Sequence, residues 1–314
     1  MRILGATCEL DDFLREWKSP GDTIVAHTSG STGRPKDIRL MKADMLRSAR
    51  ATISTLRLTD GGLFVSPLSA DYIAGKMMVV RAIVADADLL FLQPKRSPLE
   101  GYRLDRRISL LPIVPAQIDA LLDDPKFGLV DTLIIGGAPV PPDREARLVE
   151  TGVKAFATYG MTETCSHVAL RRLGDDVFSA VDGVTFDVTD DSRLVVNWTS
   201  RLETNDVVEL ISPTSFRWKG RADNVINSGG IKIHPEELER EISKVVSEPF
   251  YVVGRPSYIW GEEAVLVVEG KGDETALLSE IKQLLPPKKS PKAVIFKEKL
   301  DRTPSGKILR QRPI

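Results

Sequence analysis

Nine consecutive residues, Thr28-Ser29-Gly30-Ser31-Thr32-Gly33-Arg34-Pro35-Lys36, constrain this chain more than any other stretch. Hydroxyls and glycines close on one lysine, a composition suited to gripping phosphates rather than packing a core. Small residues let successive backbone N–H groups converge on an anion, and Ser and Thr hydroxyls add donors. Lys36 then brings a point charge to a phosphate oxygen. The pattern is not GxxxxGK[ST], because Gly30 and Gly33 stand too close together and Pro35 precedes the lysine. Thr23-Ile24-Val25-Ala26 before it and Ile38-Arg39-Leu40 after it read as short strands, so the segment is expected to be a hairpin loop. A flexible Gly/Ser linker is the alternative for the loop taken alone.

Around that loop the chain reads as α/β. Its 314 residues suffice for roughly two domains. Met41 to Arg57 has an amphipathic helical pattern, with Met45, Leu46, Ala49, Ile53 and Leu56 on one face. Strand-like runs at 63–65, 89–92, 108–113, 132–135 and 154–158 then alternate with helical runs at 73–84, 115–122 and after Pro141-Pro142. Such alternation predicts a mainly parallel sheet with flanking helices. From Ser166 to Lys219 the pattern changes to antiparallel sheet, with Thr189-Asp190-Asp191-Ser192 as a turn between 184–188 and 193–197. The polar, glycine-bearing stretch from Arg221 to Gly230 reads as a hinge. Helices at 235–246 and 274–285 with strands at 251–253 and 264–268 then predict a small α+β C-terminal domain. The expected domains are 1–221 and 222–314.

Composition removes several function classes. A net charge of -1 argues against a surface built for nucleic acid. Acidic residues in Met1 to Asp12 stand where a leader peptide would need an apolar core. The most apolar helical stretch, Tyr72 to Val84, carries Lys76 and Arg81 and is too short to span a bilayer. Cys8 and Cys165 make neither a metal pair nor a disulfide framework. The expected protein is soluble, reduced and cytoplasmic, with no membrane span and no nucleic-acid partner.

Four further stretches carry chemistry. Thr158-Tyr159-Gly160-Met161-Thr162-Glu163-Thr164 follows a predicted parallel strand, where ligands of open α/β sheets sit. There a hydroxyl can bind phosphate and a carboxylate can help hold Mg²⁺, although the turn has an equally good structural reading. Asp206 in Thr204-Asn205-Asp206 can accept both ribose hydroxyls, or be a turn residue. Gly220-Arg221-Ala222-Asp223 leads to Ser228-Gly229-Gly230, and Thr303-Pro304-Ser305-Gly306-Lys307 lies near the C-terminus, where a lysine alone reads as a solvated tail residue.

In this order and spacing, the five stretches resemble the adenylate-forming superfamily of acyl-CoA synthetases, adenylation domains and luciferases. The resemblance implies that a carboxylate attacks the α-phosphate of ATP, and that the acyl-adenylate then loses AMP to a thiol, commonly that of CoA. It implies that the 28–36 loop, with Thr28, Ser29, Gly30, Ser31, Thr32, Gly33 and Lys36, holds the β- and γ-phosphates. Glu163 would help hold Mg²⁺, Thr162 would touch the phosphates, and Tyr159 with Gly160 would lie near adenine. Asp206 and Arg221 would bind the ribose. Lys307 would reach over from a mobile lid, domain 222–314, pivoting at Asp223. Gly229 and Gly230 would then line a pantetheine tunnel, where missing side chains permit close approach.

Within the superfamily, Ile113-Val114-Pro115-Ala116-Gln117, Tyr72-Ile73-Ala74-Gly75 and Met161 to Ser166 resemble the o-succinylbenzoate–CoA ligase group. That group acts on an acid bearing a second carboxylate, which needs an anchor while the first reacts. Arg81 falls where the group carries a basic residue, with a snorkelling surface arginine as the alternative. Lys76 is a weaker candidate of the same kind. Tyr72, Gly136, Gly137, Ser166 and His167 complete the expected acyl pocket, and His167 reads equally well as a strand residue. Other aryl or fatty acids, a carrier-protein acceptor and a non-catalytic nucleotide-binding protein are the competing readings. Only 27 residues precede Thr28, so the chain is expected to be a compact variant, with oligomerisation covering an exposed flank. Asn205 stands where a glycine is usual in this superfamily, and it is expected to tolerate φ > 0 there.

Overall fold

The computed structural model describes residues 2–5, 7–27, 37–302 and 308–312. It falls into two compact units: Met1–Phe186 with Asn197–Arg201 and Ser212–Ser215, and Asp187–Val196 with Leu202–Ile211 and Phe216–Ile314.

The first unit opens with a helix that the sequence reading did not anticipate, α1 (Cys8–Lys18). The Thr7 hydroxyl caps it by accepting from the Leu10 N–H at 3.2 Å. Leu10, Phe13, Leu14 and Trp17 recur at helical spacing and pack into the first core. Strands Thr23–His27 and Asp37–Met41 then pair antiparallel with His27 opposite Asp37, so the segments flanking residues 28–36 are hairpin arms, as expected. The loop itself, residues 28–36, lies outside the described residues.

Helices α2 (Lys42–Leu56) and α3 (Ile73–Val84) share a core with a parallel sheet ordered Ile3–Leu4, Asp88–Phe91, Leu63–Ser66. Strands Leu111–Ile113, Thr132–Ile135 and Lys154–Gly160 are also parallel to one another. His167–Arg172 then runs antiparallel to the last of these, and Phe178–Ala180 antiparallel to it in turn. The apolar runs are buried throughout because both faces are covered. Phe64 and Ile134 point into the first core, while Leu63, Val65, Leu133 and Ile135 point into the second, which includes Ile118 and Leu121 of α4 (Ile118–Leu122) and Leu148 of α5 (Pro142–Glu150). Side-chain alternation with a period of two thus divides one strand between two cores.

In the second unit, strands Arg193–Asn197, Arg201–Ser212 and Ser215–Arg221 are neighbours in that order. The expected turn at 189–192 is present, with Thr189 N–H donating to Arg193 O at 2.9 Å and Ser192 at φ 64°. A short hairpin, Ile226–Ser228 with Ile231–Ile233, turns through Gly229 and Gly230 at φ 58° and 82°. Two left-handed residues in a row define the hairpin turn whose twist matches its strands, and glycine meets that demand without strain. The hairpin joins Gly261–Glu269, Phe250–Ser257 and Ala293–Lys297 in one sheet, packed against α6 (Pro235–Ile242) and α7 (Glu274–Leu284). The α/β class with a small α+β C-terminal part stands. The second unit also takes in strands upstream of residue 222.

Among the described residues no helix is long and apolar enough to cross a membrane. Cys8 is exposed and Cys165 buried, and both are free thiols.

Candidate active site

In the first unit, the expected substrate-facing residues gather at the carboxyl ends of adjacent parallel strands. Gly136 and Gly137 follow Thr132–Ile135, and Tyr159 and Gly160 end Lys154–Gly160. Gly160 sits at an irregularity opposite His167, where an added Cβ would lie 2.3 Å from Ser166 O. That close approach explains the glycine. The chain then makes a single turn, Thr162–Thr164. Buried Thr164 fastens it, accepting from Met161 N–H at 3.1 Å and donating to Ser166 O at 2.7 Å. Cys165 closes the turn at φ 62°, and burial pushes its thiol up to about 12, so it is no nucleophile. Thr162 remains half-buried and Glu163 is exposed. The Tyr159 ring lies edge-on to Phe178, 6.0 Å between centroids.

Arg81 corrects the snorkelling alternative. It is 2% exposed, its Nη2 donates to the Ser166 hydroxyl, and its Nη1 lies 3.8 Å from Met78 Sδ. Its Nε has no partner among the described residues, and no carboxylate offsets the burial that holds its pKa at about 10. Among the described residues this cation carries its desolvation cost without a counter-ion. Beside it, buried His167 contacts Thr52 Oγ1 through Nε2 at 3.0 Å and Ser166 Oγ through Nδ1 at 3.4 Å. Burial first, then the Arg81 charge, holds the imidazole well below its ordinary range. It is therefore neutral.

Lys76 does not belong to this group. Its ammonium lies 4.9 Å from the centre of the Phe13 ring and 4.0 Å from Glu16 Oε2, fastening α1 to α3. Tyr72 stands exposed at the N-cap of α3.

The second unit brings Asp206 and Arg221 together. Asp206 is buried on the strand Arg201–Ser212, takes a hydrogen bond from Trp218 Nε1 at 3.1 Å, and lies 3.9 Å from Arg221 Nη1. Trp218 was not anticipated, and nothing in its sequence setting marked it. Arg221 also lies 3.6 Å from Asp223, whose carboxylate accepts from the Asn205 amide. Asn205 is not at positive φ. It is an extended strand residue, and its role is this hydrogen bond to the expected hinge. Asn224 likewise donates to Glu236 Oε1 at 2.5 Å. Gly229 donates to Trp260 O at 2.8 Å under the Trp260 ring, whereas a Cβ at Gly230 would meet nothing within 4 Å. Lys307, like residues 28–36, lies outside the described residues.

The first unit thus offers a buried cation and a strand-end turn with an exposed carboxylate, and the second, taken by itself, a buried aspartate beside an arginine. The AMP-binding enzyme family matches residues 9–200, and the chain belongs to that family. It is 31% identical to an acyl-CoA synthetase (AMP-forming)/AMP-acid ligase II-like protein from Dyadobacter fermentans, covering 96% of this chain and 91% of that one, with a TM-score of 0.67. It is 25% identical to 2-succinylbenzoate–CoA ligase of Enterococcus faecalis over 95% of this chain and 71% of that enzyme. The fold is that of o-succinylbenzoate coenzyme A synthetase (MenE) from Bacillus subtilis bound to ATP and magnesium, at 20% identity and a TM-score of 0.78, over 91% of this chain and 68% of that one.

Proposed function

We propose that this protein is an ATP-dependent acid–thiol ligase that activates o-succinylbenzoate and transfers it to CoA. The observation that carries the choice of acid is Arg81, a buried guanidinium with no carboxylate partner among the described residues. A fatty-acid tunnel has no use for such a group, whereas an acid with a second carboxylate supplies the missing anion. Similarity to the Enterococcus ligase supports the same reading.

In the first half-reaction, an oxygen of the aliphatic carboxylate bonds to the α-phosphorus of ATP, and the bond to the bridging oxygen breaks. Pyrophosphate leaves with that electron pair. In the second, the CoA sulfur bonds to the acyl carbon, AMP leaves with its oxygen, and the thiol proton is released. The protein's part is positioning and charge neutralisation. Asp206, held by Trp218 and flanked by Arg221, takes the ribose hydroxyls, and Tyr159 lies beside adenine. Thr162 touches the phosphates. The exposed Glu163 carboxylate and phosphate oxygens form the hard-oxygen set that Mg²⁺ accepts, and the ion neutralises phosphate charge when bound. Residues 28–36 with Lys36 hold the outer phosphates, and Lys307 completes the adenylation site from a lid, 222–314, turning at Asp223. Gly229 and Gly230 line the thiol's approach. Tyr72, Gly136 and Gly137 border the acid. Its partners are thus small molecules, met in the cytoplasm.

The test is pyrophosphate release from o-succinylbenzoate, benzoylpropionate (which lacks only the ring carboxylate), an aryl monoacid and a fatty acid, each with and without CoA. The diacid should give the highest kcat/KM. Equal turnover of benzoylpropionate removes the ring carboxylate from recognition.

A further inference from the structure

The contacts around His167 form a chain with one consistent direction. The Thr52 hydroxyl donates to Ser48 O at 3.0 Å, one turn back along α2. Its single proton is therefore spent, and Thr52 Oγ1 can only accept from His167 Nε2, 3.0 Å away. A neutral imidazole with its proton on Nε2 leaves Nδ1 as an acceptor, facing the Ser166 hydroxyl at 3.4 Å. Ser166 can then turn its proton toward His167 and its lone pairs toward Arg81 Nη2, which donates to it. All four side chains are buried or half-buried, and the remaining Arg81 Nε proton is unclaimed among the described residues.

We infer that Thr52 and His167 are positioning residues: through Ser166 they fix the Arg81 guanidinium, so that its free edge meets the second carboxylate of the acid. The proposal rests on the diacid reading and adds residues that never touch substrate. Donation runs from the cation of α3 to the carbonyl of α2, so helix, strand and helix set the anchor together. A dicarboxylic acid should be sensitive to every member, a monocarboxylic acid to none.

Two measurements test it. Nitrogen-15 NMR of the free enzyme, which has 3 histidines to assign, should show His167 protonated on Nε2. A proton on Nδ1 overturns the proposal. Thr52→Val should raise the KM for o-succinylbenzoate about tenfold, with kcat and the KM for ATP and for benzoylpropionate unchanged, and Thr52→Ser should restore it. Equal effects on the two acids, or no effect, overturn it. A wild-type enzyme that treats both acids alike defeats the diacid reading instead, and the tautomer result still decides the relay.

Discussion

Replacing Arg81 with methionine should make the protein more stable and worse at binding its acid. Burial holds the guanidinium at about 10 rather than 12.5. At about 1.4 kcal/mol per tenfold, that corresponds to about 3 kcal/mol of penalty carried by a cation without a counter-ion. Methionine fills a similar volume without charge, but it strands the Ser166 hydroxyl, which returns about 1 kcal/mol of the gain. The net expectation for Arg81→Met is a gain of about 1–2 kcal/mol, seen as a rise of a few degrees in Tm. Because the folded-state pKa is depressed for a base, the penalty is complete below pH 10 and relaxes only above it. The gain should therefore be the same at any pH from about 6 to 9. The acid loses a charge-assisted hydrogen bond worth about 1.5–3 kcal/mol, so its KM should rise about 10- to 150-fold while that for ATP stays put. The assays are thermal unfolding of the unliganded enzyme and steady-state pyrophosphate release. A less stable variant with an unchanged acid KM would refute the reasoning, since Arg81 would then be a structural cation.

Five other substitutions bear on separate parts of the molecule. His167 is held neutral when folded and takes up a proton when unfolded, so stability should fall as pH drops below about 6.5, and His167→Gln should flatten that slope in urea melts at graded pH. The half-buried His234, also depressed, chiefly by burial, should keep part of it. Asp206→Asn should raise the KM for ATP by about 10-fold or more, and Trp218→Phe, which removes the bond to Asp206 together with part of the ring, by several-fold, both read from initial rates at saturating acid. Gly229→Ala puts a Cβ 2.8 Å from the Trp260 ring at φ 58°; it should cost about 1–2 kcal/mol in chemical melts and slow thioester formation more than pyrophosphate release. Lys307→Ala should sharply slow adenylate formation and spare thioester formation from supplied acyl-adenylate. Equal loss in both half-reactions would count against a turning lid.

How far the sequence revealed this molecule depended on how much of each signal was local. The bounds of α3, Ile73–Val84, were readable because an apolar run met turn residues at both ends. The same run hid Arg81: a helix buried nearly all round has no polar face to show where its one arginine points, and only the strand beginning at His167 brings Ser166 onto it. Helix α1 was missed although Thr7, Leu10, Phe13, Leu14 and Trp17 spelled out a cap and a stripe, because the first residues were read only for a leader. Asn205 was expected to tolerate φ > 0 in place of a glycine, yet pairing with the strands on either side holds it extended. Lys76 was wrongly grouped with Arg81, since its partners Phe13 and Glu16 belong to the helix that was not foreseen.

The central claim is tested most directly by product stoichiometry. With ATP, magnesium and o-succinylbenzoate, the enzyme should release about one pyrophosphate per active site and then slow; adding CoA should start sustained release of AMP in equal amount. Orthophosphate and ADP in place of these products, or AMP output that ignores both acid and CoA, would contradict the account.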